Sequence, residues 1–209
     1  MTDSSPEAIE HYFSASPAGE FRTTEIQVSL AGRDFSVETS GSIFSPDHID
    51  AGTEALLRTV PEPPTSGNLL DIGCGWGPIA LTLALESPEA SVYGIDVNER
   101  ALELTRRNAA RCGVANLSVS TPDDLDAGIL FETIWSNPPI RVGKSELHGI
   151  MQKWIPRLAS GGSAWLVIAK HLGADSFEKW LASEFSDTHN VSRAANHKGF
   201  RVIQVTRAN

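Results

Sequence analysis

Residues 69–78, LLDIGCGWGP, combine an apolar run with closely spaced glycines. The run predicts a buried strand that ends near Asp71, and bare backbone follows at Gly73, Gly75 and Gly77. Glycine permits backbone conformations closed to other residues and lets a ligand approach the main chain. Pro78 suits the first turn of a helix, where its missing N–H is not needed. The sequence therefore predicts a strand, a ligand-binding turn and a helix in succession.

We expect the ligand of this turn to carry no phosphate. The dinucleotide-binding fingerprint has its third glycine where this chain has Pro78, and a diphosphate uses the amide donors at the start of the helix. NAD therefore fits poorly. A nucleoside with a positive centre fits better beside the Asp71 carboxylate, and S-adenosylmethionine is such a molecule. For the glycines taken alone, an ordinary strand-to-helix turn is the alternative.

Acidic and amide side chains follow the next two predicted strands. Asp96 ends the second core strand, where a carboxylate can accept hydrogen bonds from both ribose hydroxyls; a capping box with Glu99 is the alternative. Asn98 either caps the helix that follows or contacts the ribose. Asp123 and Asp124 follow the third strand and are candidates to accept from an adenine amino group, with a polar turn as the alternative.

Residues 136–140, SNPPI, follow the fourth core strand and suit a reaction at an amine. An exocyclic amine on a base is a weak nucleophile because its lone pair is delocalised into the ring. The Asn137 side-chain oxygen and the Pro138 carbonyl can accept its two N–H groups and leave the lone pair free to attack a methyl group. Pro138 and Pro139 would hold these acceptors in place before the substrate arrives. Out of context, Asn-Pro-Pro is also a plain turn.

The charge of the chain is unevenly distributed. The net charge is −9, but residues 1–136 contain 7 Lys and Arg against 21 Asp and Glu, whereas residues 137–209 contain 10 against 5. This division favours an acidic half for a cofactor and a basic half for a polyanion such as RNA. The candidates for phosphate contact are Arg141, Lys144, Lys170, Lys198 and Arg201. Taken singly, each is better explained as a solvated surface charge, and only the group fits the basic half.

Length and composition are those of a globular protein with one substantial core. The chain has 209 residues, of which 41% are hydrophobic and 21% charged. It shows neither a membrane-spanning run nor a signal peptide, and its two cysteines form no disulfide framework or metal cluster. We therefore expect a cytoplasmic protein without a metal ion.

Strands and helices alternate through the second part of the chain. This order predicts a mostly parallel sheet with helices on both faces and ligands at the carboxyl ends of the strands. The predicted strands are 69–72, 91–95, 117–120, 132–136, 163–169, 188–193 and 200–206. The predicted helices are 78–86, 98–112, 144–158 and 175–185. The last two strands are expected to form a hairpin, which makes one strand antiparallel.

The N-terminal part is predicted to be a small extension of this core. Residues 25–30 and 34–39 alternate as two strands of a hairpin, and residues 47–60 have helical spacing. Residues 61–67, PEPPTSG, then interrupt the pattern. We expect an extension over residues 1–60 packed on a core over residues 67–209.

The glycine turn, Asp96 and SNPPI together resemble the class I S-adenosylmethionine-dependent methyltransferases that modify amino groups. Longer segments are similar to single-domain relatives of the small-subunit ribosomal RNA (guanine-N2) methyltransferases, in the methyltransferase small domain family. These segments are HYFSASP, FSPDHID, DIGCGWGPI, DVNERALEL, SNPPIRVGK, LVIAKHLGA and KGFRV. The similarity implies a Rossmann-like seven-stranded sheet with one antiparallel strand near the C-terminus, and guanine N2 of ribosomal RNA as the methyl acceptor.

The resemblance also implies roles for individual residues. The methionine part of the cofactor would lie against Asp71, Gly73, Cys74, Gly75 and Gly77. Asp96 would hold the ribose and Asp124 the adenine edge. The target amine would be held by Asn137, Pro138 and Pro139. Phe44 and Ser45 would close over the cofactor.

The sequence departs from the family at two points. Family members with two tandem copies of the domain have an N-terminal half that helps to bind RNA, and this sequence has one copy. Ile140 stands where many amine methyltransferases have an aromatic residue that stacks on a flat substrate. Stacking must then come from elsewhere, and the candidates are Tyr12, Phe13 and Phe200.

Two other functions fit the same motifs. The methyl group could go to a protein glutamine amide or a small-molecule amine, although glutamine enzymes usually continue Asn-Pro-Pro with Tyr. The chain could also be a cofactor-binding module without turnover, although it retains every expected cofactor and amine residue.

Overall fold

The computed structural model describes residues 21–41, 43, 45–139 and 143–209. The strands of this part are β1 (Thr24–Leu30), β2 (Arg33–Thr39), β3 (Asn68–Ile72), β4 (Ser91–Ile95), β5 (Leu117–Ser120), β6 (Phe131–Ser136), β7 (Leu158–Ala169), β8 (His189–His197) and β9 (Phe200–Arg207). The α-helices are α1 (Ala51–Leu57), α2 (Pro78–Glu86), α3 (Glu99–Arg111), α4 (Lys144–Trp154) and α5 (Ala174–Glu184). Within these ranges, no helix is both long and apolar enough to span a membrane.

Seven strands form one sheet in the order β5-β4-β3-β6-β7-β9-β8. The neighbours from β5 to β7 are parallel, and β9 is antiparallel to both β7 and β8. The chain runs outward from β3 through β4 to β5 and then returns to β6 on the other side of β3. This confirms the predicted Rossmann-like sheet with one antiparallel strand, and it places the reversal of strand order between β3 and β6.

The register brings three strand ends to the same level. Ile72, the last residue of β3, lies opposite Ile95 of β4 on one side and Ser136 of β6 on the other. The Ser136 hydroxyl donates to the Ile72 carbonyl at 2.7 Å, which ties the last residues of β3 and β6 together. The loops after β3, β4 and β6 therefore start side by side at one edge of the sheet.

Alternate residues of the central strands bury opposite faces of the sheet. Leu70 packs in a cluster with Met151 of α4 and Leu181 of α5. Its neighbour Leu69 packs in a different cluster with Leu83 of α2 and α1 residues. A strand buried on both faces is rich in apolar residues, as Leu69, Leu70 and Ile72 are, and the buried Asp71 is the exception in this strand.

The β1–β2 hairpin packs against α3 and the turn after β3. Its turn at Ala31 and Gly32 has positive φ at both residues, 50° and 70°, the conformation that favours a tight hairpin. The fully buried Asn108 of α3 joins it to the core: Oδ1 accepts from the Glu38 amide at 2.7 Å, and Nδ2 donates to the carbonyls of Glu38 and Trp76, both at 2.9 Å. One side chain thus connects the hairpin with the glycine turn.

Some predicted element ends were wrong. The helix predicted over 144–158 ends at Trp154, because Pro156 has no N–H to continue the helical bonds and lies in a 3₁₀ turn at Ile155–Arg157. The following strand therefore begins at Leu158 rather than residue 163. The helix predicted over 47–60 is only α1, whose first turn is capped by the Asp50 side chain.

Candidate functional site

The turn after β3 has most of its amide donors occupied within the protein. The amides of Gly73 and Cys74 both donate to the Ile95 carbonyl, at 2.8 and 3.0 Å, and the Gly75 amide donates to Oδ2 of Asp96 at 3.0 Å. A bound diphosphate would need such donors for itself. The geometry therefore supports the interpretation that this turn does not bind a dinucleotide.

The same turn leaves its backbone open towards the loop after β6. A Cβ atom added to Gly73, which has φ of +77°, would lie 3.9 Å from Cδ of Pro139 and close to nothing else. In contrast, one added to Gly77 would meet Thr105 at 3.1 Å, because that part of the turn packs against α3. The open part of the turn thus faces the proline pair.

Asp71 lies fully buried beneath the turn. Its Oδ2 accepts from the Ala80 amide in α2 at 3.0 Å, whereas its Oδ1 has no partner among the described residues. Burial raises the pKa of this carboxyl well above its usual range, and the nearby Asp96 charge raises it further. A ligand with a positive centre on the turn would favour the ionised form of this carboxyl, whereas an anionic ligand would oppose its ionisation.

Asp96 and Asn98 take different roles at the start of α3. The Asn98 side chain accepts from the Arg100 amide at 3.0 Å and caps the helix. Asp96 does not cap α3; its two oxygens accept from the amides of Gly75 and Asn98. Burial raises the pKa of Asp96, and the backbone hydrogen bonds oppose that shift. The exposed Val97 adds an apolar surface beside Asp96 that the sequence analysis missed.

Asp123 and Asp124 are exposed on the loop after β5. Asp123 forms an ion pair with Lys153 of α4 at 2.8 Å, and this contact lowers the pKa of Asp123. Asp124 accepts from the Thr121 hydroxyl at 2.6 Å. The Asp123 carboxylate is thus engaged by α4, which does not support the adenine contact predicted for it.

Asn137 is held in one orientation by the start of α1. Its Nδ2 donates to Oδ2 of Asp50 at 2.8 Å and to the Thr53 hydroxyl at 3.1 Å. Its Oδ1 has no partner among the described residues. Pro138 is buried and Pro139 half-buried. The start of α1 therefore binds the nitrogen of the Asn137 amide and not its oxygen.

Of the three aromatic residues predicted to stack on the substrate, Phe200 is the one that the structure describes. Phe200, half-buried at the start of β9, has Cε1 at 3.1 Å from the position of a Cβ on Gly52, and Nδ2 of Asn137 lies 3.2 Å from the same point. Phe200 is therefore close to the predicted amine site.

Five predicted site residues lie outside the described residues: Tyr12, Phe13, Phe44, Ile140 and Arg141. Ser45, predicted to close over the cofactor, adopts a left-handed φ of 50°.

Three of the predicted phosphate contacts are exposed and one is buried. Lys144, Lys170 and Lys198 are exposed, and the Lys170 amide donates to the Gly199 carbonyl, which brings the β8–β9 turn next to the end of β7. Arg201 is only 5% exposed and pairs with Asp175 and Glu178 of α5. The prediction that Arg201 contacts RNA is not supported, because the side chain is buried and its charge is already paired with two carboxylates of the protein.

In the described part of the chain, no three His, Cys, Asp or Glu side chains lie close enough together to hold a metal ion. The site is instead made of backbone, carboxylates and one amide.

Comparison with known proteins gives the family. The model of the methyltransferase small domain matches residues 34–204. The Uncharacterized protein YbxB of Bacillus subtilis is 35% identical over 198 residues, covering 93% of this chain and 97% of that protein. The Ribosomal RNA small subunit methyltransferase C of Citrobacter koseri is 29% identical over 183 residues, covering 84% of this chain and 51% of that enzyme. The chain thus spans about half the length of such enzymes.

A solved structure gives the same fold. The T. thermophilus 16S rRNA N2 G1207 methyltransferase in complex with AdoMet and guanosine superimposes with a TM-score of 0.74 at 20% identity, covering 92% of this chain and 52% of that one. The expected fold and S-adenosylmethionine as the methyl donor are confirmed at the level of the family. With most of its length matched by one family model, the chain belongs to the methyltransferase small domain family.

Proposed function

We propose that the protein transfers a methyl group from S-adenosylmethionine to an exocyclic amine, and that the amine is N2 of a guanine in ribosomal RNA. The observation that carries this proposal is the meeting of two loops at the reversal of strand order. The open face of the glycine turn lies opposite Pro139. Asn137, whose side-chain oxygen has no partner among the described residues, lies on the same loop as Pro139. Ligands of open α/β sheets bind at this place.

The residues around the turn fit S-adenosylmethionine, which supplies an electrophilic methyl group when bound. The methionine part would lie on the turn from Gly73 to Gly77, above the unpartnered oxygen of Asp71. Asp96 retains lone pairs for the ribose hydroxyls, because each carboxylate oxygen can accept more than one hydrogen bond. Val97 offers an apolar face to a flat base, and Asp124 remains the candidate for its amino group.

On the acceptor side, the chain has to orient a neutral amine. Oδ1 of Asn137 and the Pro138 carbonyl would accept the two N–H groups and so turn the nitrogen lone pair towards the methyl group. No strong base is needed for attack, because the proton is lost after the nitrogen has become positively charged. Most of the rate gain would come from acceptors that are already in place.

Ribosomal RNA is favoured by charge and by the relatives. The Citrobacter koseri relative is named for the small-subunit RNA, and the T. thermophilus enzyme was solved with guanosine. In this chain, the exposed Lys144 begins the helix that follows the loop after β6. The exposed Lys170 and Lys198 lie after β7 and in the β8–β9 turn, which are hydrogen-bonded to each other. A guanine inside a helix would have to be flipped out of its stack to reach Asn137. Phe200 lies close to that position.

The proposed division of the chain assigns a supporting role to its N-terminal part. Residues 1–60 would be an extension that packs on the methyl-transfer core of residues 67–209. The contacts of Asn108 with Glu38 and of Asn137 with Asp50 support this division. The extension would thus hold both the cofactor turn and the amine-binding loop.

The experiment that tests the proposal follows a labelled methyl group. The full chain is incubated with methyl-labelled S-adenosylmethionine and, separately, with naked ribosomal RNA, small ribosomal subunits and a total protein extract, all from a strain lacking the gene. We expect the label in small-subunit RNA, released as N2-methylguanosine on digestion. Label in protein alone, or in another nucleoside, would overturn the assignment of the acceptor. The Asn137→Ala variant serves as the control for contaminating activity.

A further inference from the structure

The Asp50 carboxylate joins the amine-binding loop to the first turn of α1. One oxygen, Oδ2, accepts from the Gly52 amide at 2.7 Å, from the Thr53 amide at 3.3 Å and from Nδ2 of Asn137 at 2.8 Å. The Thr53 hydroxyl accepts from the same Nδ2 at 3.1 Å. Asp50 and Asn137 are 87 residues apart in the chain, so this contact depends on how α1 packs on the sheet.

The chemistry of these partners fixes which end of the Asn137 amide faces α1. An ionised carboxylate can only accept hydrogen bonds, so an amide oxygen in the place of Nδ2 would be repelled by Asp50. An amide whose surroundings do not distinguish its two ends could turn either way. Here the nitrogen must face Asp50, and Oδ1 must point to the opposite side.

Gly52 makes the approach of these groups possible. A Cβ atom at this position would lie 2.8 Å from Oδ2 of Asp50, 3.2 Å from Nδ2 of Asn137 and 3.1 Å from the Phe200 ring. Three groups from three segments therefore converge on bare backbone. Any side chain at residue 52 would push the Asp50 oxygen and the Asn137 amide apart.

We propose that Asp50, assisted by Thr53, is the positioning residue that keeps the oxygen of Asn137 turned towards the acceptor amine. This inference rests on the proposed function, since it deepens the role of Asn137. With the amide reversed, the NH2 group of Asn137 would face the N–H groups of the substrate and could accept neither of them. Asp50 therefore acts on the reaction through Asn137 and without touching the substrate.

Substitutions at Asp50 separate this role from its role as a helix cap. Serine caps helices well, but its hydroxyl is too close to the backbone to reach Asn137. Asparagine caps equally well and retains an oxygen in the place of Oδ2. We expect Asp50→Ser to lower kcat about 10- to 100-fold, with unchanged cofactor affinity and thermal unfolding temperature. Asp50→Asn should keep most of the activity.

Thr53 gives a second matched pair. Thr53→Val removes the hydroxyl without changing the shape of the side chain, and Thr53→Ser keeps the hydroxyl. We expect a smaller fall in kcat for the valine variant, because Asp50 still holds the amide, and rescue by serine. Thr59→Val is the control: its hydroxyl bonds the Ala55 carbonyl and His197 at the other end of the helix, away from Asn137.

Nuclear magnetic resonance of the Asn137 side-chain amide tests the inference independently of the substrate. With ¹⁵N labelling, the amide is assigned by its loss in Asn137→Ala, and its two protons should exchange slowly with water in the unaltered protein. Asp50→Ser should speed this exchange about tenfold or more, whereas Asp50→Asn and Thr59→Val should not. In the Asn137→Ala background, Asp50→Ser should not lower kcat further.

Two results would overturn the positioning role. One is an Asp50→Ser variant with unchanged kcat, and the other is unchanged exchange of the Asn137 amide protons. Failure of the proposed function looks different: the unaltered protein would then methylate no guanine in RNA, while the exchange experiment would still report whether Asp50 fixes the amide.

Discussion

The Gly75 amide donates to Oδ2 of Asp96 at 3.0 Å, so the turn after β3 is attached to the loop after β4. The other oxygen of Asp96 accepts from the Asn98 amide at 2.9 Å. Both bonds hold the carboxylate in one position at the edge of the sheet. A ligand that lies on the glycine turn therefore meets an acidic group that is already oriented.

Removal of this carboxylate should weaken cofactor binding more than it weakens the fold. We expect Asp96→Ala to reduce the affinity for S-adenosylmethionine by about 1 to 3 kcal/mol, because polar partners on the protein and the ribose lose their acceptor. Titration calorimetry measures this change. Asp123→Ala is the matched control, since Asp123 pairs with Lys153 on the surface, and it should leave the affinity unchanged. Equal losses in the two variants would contradict the assignment.

The affinity for the cofactor should depend on pH through Asp96. Burial raises the pKa of Asp96, so its ionised form is lost at a higher pH than for an ordinary carboxyl. Since only the ionised form offers both oxygens as acceptors, we expect affinity to fall as the pH is lowered through this raised pKa. Asp96→Asn should bind weakly and show a smaller change with pH. Calorimetric titrations across the acidic range provide the measurement.

The stability of the free protein should change with pH in the opposite direction. A carboxyl whose pKa is raised on folding contributes stability at low pH and loses it as the pH rises through the folded pKa. This applies to Asp96 and to Asp71, whose pKa burial also raises. Protonation of Asp96 and Asp71 at low pH therefore does not destabilise the fold, so loss of folded protein through these two groups does not explain the weaker cofactor binding. Thermal unfolding without cofactor at each pH checks this.

Asn137 should be needed for turnover but not for cofactor binding. Asn137→Ala removes the acceptor oxygen for the amine, so we expect the rate of methyl transfer to fall about 100-fold or more. The affinity for S-adenosylmethionine should stay nearly unchanged. Asn190→Ala, at an exposed position of β8, is the control and should be fully active. A variant that loses cofactor binding and activity together would place Asn137 in the cofactor site instead.

The sequence predicted the sheet because its pattern is local. Each central strand is an apolar run followed by turn residues and a helix, and the carboxyl ends of parallel strands share one edge. The loops at Gly73, Asp96 and Asn137 were therefore expected to meet. Element ends were less predictable, as Pro156 shows: it ended α4 four residues earlier than the apolar spacing indicated.

The contacts of the site could not be predicted from local sequence. Asp50 and Asn137 are distant in the chain, and the sequence of Asp50 to Thr53 indicates only a helix start. Arg201 carries no local sign that Asp175 and Glu178 neutralise its charge. Both features arise from packing between distant segments of the chain. The alternation of apolar residues and the spacing of motifs do not indicate such packing.

Binding of RNA should depend on salt through the exposed lysines. If Lys144, Lys170 and Lys198 each contact one phosphate of single-stranded RNA, replacing all three by alanine should reduce the slope of log affinity against log salt by about 2. Fluorescence anisotropy with a labelled RNA fragment at several salt concentrations measures the slope. Arg106→Ala is the control, because this exposed arginine lies on α3 in the acidic half. An unchanged slope in the triple variant would remove these lysines from the interface.

Asn108 should matter for the stability of the whole fold. Its side chain satisfies three backbone groups, on Glu38 and Trp76, at distances of 2.7 to 2.9 Å. Asn108→Ala leaves these groups without their partner, so we expect the free energy of unfolding to fall by about 2 to 4 kcal/mol. Urea denaturation measures the change.

The same variant should also weaken cofactor binding, because the Trp76 carbonyl belongs to the glycine turn. Asn116 offers a matched comparison: its side chain donates to the carbonyls of Ser87 and Ala90, in the segment that leads into β4. Asn116→Ala should lower stability without changing the affinity for S-adenosylmethionine. If both variants bind the cofactor as the unaltered protein does, the hairpin stabilises the fold but not the glycine turn. If only Asn108→Ala binds the cofactor weakly, the Asn108 side chain couples the hairpin to the cofactor site.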